Sequence, residues 1–281
     1  MLGSFIIVFR EIVEAGLIVG IILAVTRGIP RSRVMCAAGI LAGVLGASLI
    51  AAFAGVITEA LAGIGQEIMN ASILLLATAM LAWHNGWMAS HGQEMAAEAQ
   101  QLGQAVRTGS KTLVALSIVI AVAVMREGSE VALFLYGLIA SAGVTGNDLL
   151  LGSGLGLVAG AALTGLTYFG LLVIPYKHLF GVTGVLITML AAGLAAQAVG
   201  FLQQAGVLTA LSQTAWDSSW LLTDRSLPGR VLHTLIGYAD QPSVLQVVVY
   251  AAVLVGILAA SRFARAQMTQ PQRIQGGAAG V

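Results

Sequence analysis

Apolar residues run through this chain in long unbroken stretches separated by short polar ones. Seven stretches stand out, at residues 2–26, 34–58, 68–90, 112–140, 149–174, 179–202 and 244–261. Each is long enough to cross a hydrocarbon layer ~30 Å thick as a helix. The runs are continuous rather than alternating, which favours helices over a barrel. The first stretch lacks a basic leader and carries Arg10, Glu11 and Glu14 in its middle, so it does not read as a cleavable signal. The Ala-, Gln- and Glu-rich segment 91–111 predicts a short cytoplasmic helix. Segment 206–243 predicts the longest outer loop, with Trp216, Trp220 and Tyr238 suited to a membrane interface.

Composition narrows the class. Of 281 residues, 58% are hydrophobic and only 9% charged. A soluble domain carries about 25% charged residues, so this chain lacks the charge to cover a water-facing surface. Disorder over most of the length is excluded by the hydrophobicity. The single cysteine, Cys36, excludes a disulfide framework and multi-cysteine metal or iron–sulfur sites. A net charge of +1 gives no sign of a nucleic-acid partner. The expectation is an all-α polytopic membrane protein with seven transmembrane helices.

The placement of charge predicts orientation. Arg27, Arg31, Arg33, Arg107, Lys111, Lys177, Arg262, Arg265 and Arg273 fall on one side of the predicted spans, and only Arg225 and Arg230 on the other. The positive-inside rule then puts the N-terminus outside and the C-terminus in the cytoplasm of an inner (plasma) membrane. An odd number of spans agrees. Six acids, Glu59, Glu67, Asp148, Asp217, Asp224 and Asp240, fall on the outer side, against Glu94 and Glu98 inside. An acidic outer face concentrates cations at a mouth; equally, outer loops simply avoid Lys and Arg.

One motif occurs twice. Span one holds Arg10-Glu11-Ile12-Val13-Glu14 and span four holds Arg126-Glu127-Gly128-Ser129-Glu130, both R-E-x-x-E near mid-span. Spans two and five follow with small-residue rows, Gly39 and Gly43 in one, Gly152, Gly156 and Gly160 in the other. Such rows let helix backbones approach closely in lipid. Spans one and four run in opposite directions, so the expected plan is a 3+3 inverted-topology repeat plus a seventh helix, with a site near the midplane between repeats. The corresponding divisions are a first repeat over 1–90, a linker helix over 91–111 and a second repeat over 112–205. An outer loop over 206–243, the seventh helix over 244–263 and a disordered cytoplasmic tail over 264–281 complete the chain.

A charge at the bilayer centre costs about 2.5–3.5 kcal/mol, so these four Glu and two Arg would together cost ~15–20 kcal/mol if unpaired. Arg10 and Glu14 are i,i+4 neighbours, as are Arg126 and Glu130, which allows partial pairing. Two arginines still cannot neutralise four glutamates. Glu11 and Glu14 share one helix face, and so do Glu127 and Glu130. Two such faces opposed would form an oxygen cage suited to a hard, multivalent cation such as iron. A proton relay through the same glutamates is a second possibility, compatible with the first.

At these residues the chain resembles the oxidase-dependent iron transporter family, the high-affinity iron permeases of fungi and bacteria. That family carries R-E-G-[LS]-E-like motifs in the first and fourth of seven spans. The fourth-span motif here matches in full, whereas the first has Ile12 where the family usually has Gly. The resemblance covers most of the chain, including the stretches 191–196 and 237–243. It implies an iron permease that takes ferric iron from an outer oxidase or iron-binding partner. Iron is then the transported substrate, not a permanently bound cofactor, and the chain is not an enzyme. Glu11, Glu14, Glu127 and Glu130 carry over as iron ligands, with Arg10 and Arg126 as their motif partners. Asp217 and Glu67 carry over as outer residues that help to receive iron, unless they merely solvate their loops.

Two other functions stay open at this stage. One is a proton-coupled carrier of another divalent cation such as manganese or lead. The other is a membrane enzyme with a carboxylate-bound di-iron centre, although neither motif has His at the Glu-x-x-His position such centres use. His84, beside Trp83 and Asn85 in span three, is expected to be a packed, hydrogen-bonded residue rather than a ligand. His91, His178 and His233 are expected near interfaces. No phosphate-binding G-x-x-x-x-G-K-[ST] motif is present, so the chain does not itself hydrolyse ATP.

Overall fold

The computed structural model describes residues 1–61, 65–141, 145–170, 176–224 and 226–268. Among the described residues the chain is all-helical: α1 (Leu2–Val25), α2 (Ser32–Leu61), α3 (Gln66–Arg107), α4 (Leu113–Ala140), α5 (Gly146–Tyr168), α6 (Tyr176–Gln204), α7 (Leu227–Ile236) and α8 (Val244–Met268). Seven are long and one, α7, is a ten-residue helix inside the 206–243 segment. Local chemistry sets several ends. Thr145 caps α5 by accepting from the Asp148 N–H at 3.2 Å, while its hydroxyl donates to Asp148 Oδ2 at 2.8 Å. Ser226 caps α7 in the same way, with Pro228 in the first turn.

Boundaries depart from the sequence expectation in three places. Segment 91–111 does not start a helix of its own: its residues to Arg107 continue α3, giving one 42-residue helix. No Pro or tight turn separates the two parts, and Ala99, Leu102 and Val106 are buried against other helices. Span five, expected to reach 174, stops at Tyr168, where Gly170 takes a positive φ of 73°. α8 runs past 261 to Met268. Arg225, Arg273 and the tail from 269 onward lie outside the described residues.

The fold is that of a polytopic membrane protein. Among the described residues, five helices are long and apolar enough to cross a membrane, and α1 and α4 differ from them by carrying three charged residues each near their middles. Large apolar side chains face outward, Leu49 at 72% and Leu150 at 73% exposure, and water would oppose that arrangement.

Helices pair as α1 with α5, α2 with α4 and α3 with α6. The glycine rows explain two of these pairs. A Cβ at Gly39 would stand 2.6 Å from the Ser117 carbonyl oxygen, and one at Gly43 would stand 2.7 Å from that of Ala121. In the same way Gly156 approaches the Phe5 carbonyl, and Gly152 lies against Met1. The motif position that is Gly128 in α4 faces Ala47, whereas its counterpart Ile12 in α1 faces Gly160. The bulk added at one helix is thus removed from the helix opposite, which answers the departure at Ile12. Gly156→Ala should destabilise by about 1–3 kcal/mol, because backbone must move. Gly154→Ala, on the open face of the same helix, should be neutral or gain up to ~1 kcal/mol in helix propensity. Thermal melting of the detergent-solubilised protein distinguishes the two; equal shifts would contradict this packing.

Two apolar clusters fill the interior. One includes Ile7, Leu74, Leu81, Phe134, Leu138, Ile187 and Leu194. The other includes Ile18, Ile22, Cys36, Leu102, Leu116 and Ile120. Along α1, α3 and α4 the numbering passes from one cluster to the other through residues 10–14, 84 and 126–130. A polar layer is therefore held between two dry ones.

Candidate metal centre

The two R-E-x-x-E faces meet in that layer. Packing of α1 against α4, with α3 against both, brings Glu11, Glu14, Glu127 and Glu130 together. Glu11, Glu14 and Glu127 are buried to 2% exposure or less, and the Glu130 side chain is 14% exposed. Arg10 Nε stands 2.8 Å from Glu14 Oε1, and Arg10 Nη1 3.9 Å from Glu11 Oε1. Arg126 Nε stands 3.3 Å from Glu130 Oε1 and 3.5 Å from Glu127 Oε1. Both i,i+4 pairs expected from the sequence are thus present.

The arginines are not equivalent. Arg10 is buried at 2% exposure, whereas the Arg126 side chain is 35% exposed. Arg126 lies over the Trp87 ring, 4.2 Å from its centroid, and its Nη1 approaches Met95 Sδ at 3.8 Å. A cleft of about 180 Å³ lined by Trp83, His84, Trp87, Arg126 and Glu130 adjoins this side. The cluster is sealed at Arg10 and reachable beside Arg126.

His84 stands between the two motifs. Its Nε2 lies 3.3 Å from Glu14 Oε2 and 3.7 Å from Glu11 Oε2, and its Nδ1 contacts Glu130 Oε2. The ring packs edge-on to Phe134, with centroids 6.5 Å apart. The neighbouring Asn85 donates to Gly184 O at 3.1 Å and to Thr188 Oγ1 at 2.7 Å, which fixes α3 on α6 at this level. Sequence reasoning expected a packed, hydrogen-bonded histidine here, and its meeting with three glutamates was missed. The available signal was its depth, since an ionisable residue inside a span is a functional candidate by default. One ligand atom from each of Glu11, His84, Glu127 and Glu130 falls within 4.8 Å of the others.

Charge and polarity define what this layer can do. Four carboxylates and two guanidinium groups leave a formal charge of −2. Both Glu11 oxygens and Glu127 Oε2 are buried and accept no hydrogen bond. Buried acceptors without donors are costly, and a cation could supply the missing partner.

The outer residues behave differently. Asp217 is exposed and its carboxylate serves its own loop: Oδ1 accepts from the Ser219 N–H at 2.9 Å and hydroxyl at 2.6 Å, and Oδ2 from Gln241 at 2.9 Å. These donors hold its carboxyl below the usual carboxylate range. Glu67 is exposed in the first turn of α3. Among the described contacts, none joins Asp217 or Glu67 to the glutamate layer. Asp224 and Asp240 exchange backbone N–H bonds to each other's carboxylates, at 3.1 and 3.3 Å. Burial, then the Asp240 charge, pushes the Asp224 carboxyl up. His233 joins this loop to α6, donating from Nδ1 to Tyr238 O at 2.6 Å and accepting from Gln197 at 2.8 Å. Gly237, at a positive φ of 70°, closes α7 onto Gly193, where a Cβ would stand 2.6 Å from the Gly237 Cα.

Comparison with known proteins places this chain in a family. The ferrous iron permease EfeU of Escherichia coli O6:K15:H31 (strain 536 / UPEC) is 31% identical over 265 residues, covering 92% of this chain and 95% of that protein. The ferrous iron permease EfeU of Yersinia pestis is 30% identical over 264 residues, covering 92% of each. No solved structure matches at a significant level. The family model for iron permeases matches residues 1–265, nearly the whole chain and both motifs, and the chain therefore belongs to the Iron permease FTR1 family.

Proposed function

We propose that this chain imports iron through the buried glutamate layer. The carrying observation is the convergence of Glu11, Glu14, Glu127 and Glu130 from two helices, with a formal charge of −2 and carboxylate oxygens lacking donors. Iron neutralises that charge, and Arg10 and Arg126 orient the carboxylates and limit the net charge while the site is empty.

A divalent ion balances a charge of −2 completely, and the relatives' names specify ferrous iron. Fe(II) is accordingly the form we assign to the layer, in place of the ferric iron that the oxidase-dependent resemblance implied. An outer iron-binding protein delivers the ion, since an oxidase would hand over ferric iron. Asp217 and Glu67 are the proposed outer receivers, because both are exposed and acidic. The basic residues then face the cytoplasm, the N-terminus lies outside, and seven helices span an inner membrane. The matched contacts of α2 on α4 and of α5 on α1 favour a 3+3 inverted repeat, which places the site at the repeat interface.

Uptake of radioactive iron into proteoliposomes tests this. With ascorbate present, uptake should exceed that from ferric citrate by about tenfold or more, and excess manganese or lead should compete weakly. Equal uptake of both oxidation states would refute the ferrous assignment. Transport of manganese or lead in preference to iron would favour the general divalent carrier.

A further inference from the structure

We infer that His84 is a metal ligand of the transport site and sets its preference for transition ions over magnesium and calcium. The inference rests on the proposed permeation through the glutamate layer and goes beyond the two R-E-x-x-E motifs that define that layer.

The imidazole meets carboxylates of both motifs, Glu11 and Glu14 of α1 through Nε2 and Glu130 of α4 through Nδ1. It is buried at 3% exposure. A structural role would need the ring only to satisfy its neighbours. It does not suffice for that, since Glu11 and Glu127 retain oxygens with no donor. The four residues with ligand atoms within 4.8 Å are Glu11, His84, Glu127 and Glu130. Glu14 is drawn toward Arg10 instead, at 2.8 Å. The layer thus divides into a Glu14–Arg10 ion pair and a three-carboxylate, one-imidazole set.

That composition has a chemical consequence. Carboxylates alone serve magnesium and calcium as well as iron, because hard oxygen donors suit all three. An imidazole nitrogen binds iron and its first-row neighbours well and the alkaline earths poorly. Magnesium is also reluctant to shed its water shell, and a ring wedged among the carboxylates leaves less room to retain it. The Asn85 bonds to α6 and the Phe134 edge contact hold the ring in place, as a selectivity element requires.

The test uses the purified full chain in detergent, with Fe(II) alone as the titrant and Mn(II) as a magnetic probe. Mn(II) bound to the wild type should show nitrogen hyperfine coupling in pulsed electron paramagnetic resonance. His84→Gln should lose that coupling, weaken Fe(II) binding by at least ~10-fold, and let magnesium compete. Absence of nitrogen coupling in the wild-type protein would overturn the inference without any variant. So would a folded His84→Gln protein with wild-type Fe(II) affinity and magnesium rejection, provided Glu130→Gln still loses binding. If Glu11→Gln and Glu130→Gln also bind Fe(II) normally, the carboxylate site itself fails, which is a separate result.

Discussion

Glu130→Gln should reduce iron uptake by about 10³-fold while leaving the protein folded and in the membrane. Two charges about 4 Å apart at an effective dielectric near 20 interact by about 4 kcal/mol, which is three orders of magnitude in occupancy. Glutamine keeps the size of the side chain and one acceptor oxygen, so charge is the quantity removed. Glu130 is also the least buried of the four glutamates, at 14% side-chain exposure. Its loss therefore disturbs the fold least. Glu14→Ala should abolish uptake as well, but with a structural penalty, because Arg10 would keep only the longer 3.9 Å contact with Glu11. Uptake measured in vesicles, normalised to inserted protein, is the readout. Wild-type transport by inserted Glu130→Gln would remove the central claim.

The arginines should separate more sharply than their shared motif implies. Arg10→Ala leaves Glu11 and Glu14 buried without their guanidinium, and breaking a buried pair costs about 3–5 kcal/mol. An apparent Tm lower by on the order of 10 °C, or failure to accumulate in the membrane, is the expected result. Arg126 is a third exposed and lies on Trp87, so its pair is partly screened and its removal should cost ~1 kcal/mol or less. Arg126→Ala should therefore yield folded protein with altered transport. Size-exclusion thermal melting compares the two. Similar losses in both variants would contradict the unequal burial.

Much of the fold was legible because lipid imposes simple rules. Continuous apolar runs gave the long helices, since every backbone group in a bilayer must be bonded within its own segment. The boundaries that shifted depend on finer causes. At 168 the span ended early through the backbone at Gly170, while beyond 90 packing carried α3 on to Arg107. The glycine rows were read as packing rows from their spacing, but their partners were not. Nothing in the sequence states that Gly160 faces Ile12 while Gly128 faces Ala47.

The site divides in the same way. Helical periodicity put Glu11 with Glu14 and Glu127 with Glu130, and scarcity of charge made them conspicuous. That much is local and follows from one chain segment at a time. The asymmetry between Arg10 and Arg126, the place of His84 among the glutamates, and the local use of Asp217 are not local. Each depends on which residues other segments bring alongside: α3 between the two motifs, Trp87 under one arginine, Ser219 and Gln241 around one aspartate. The sequence by itself determined a membrane chain with two charged motifs at the same depth. The tertiary structure decided which charged groups come together and which hold one another, because in a dry interior a neighbour at 3 Å outweighs a place in the motif.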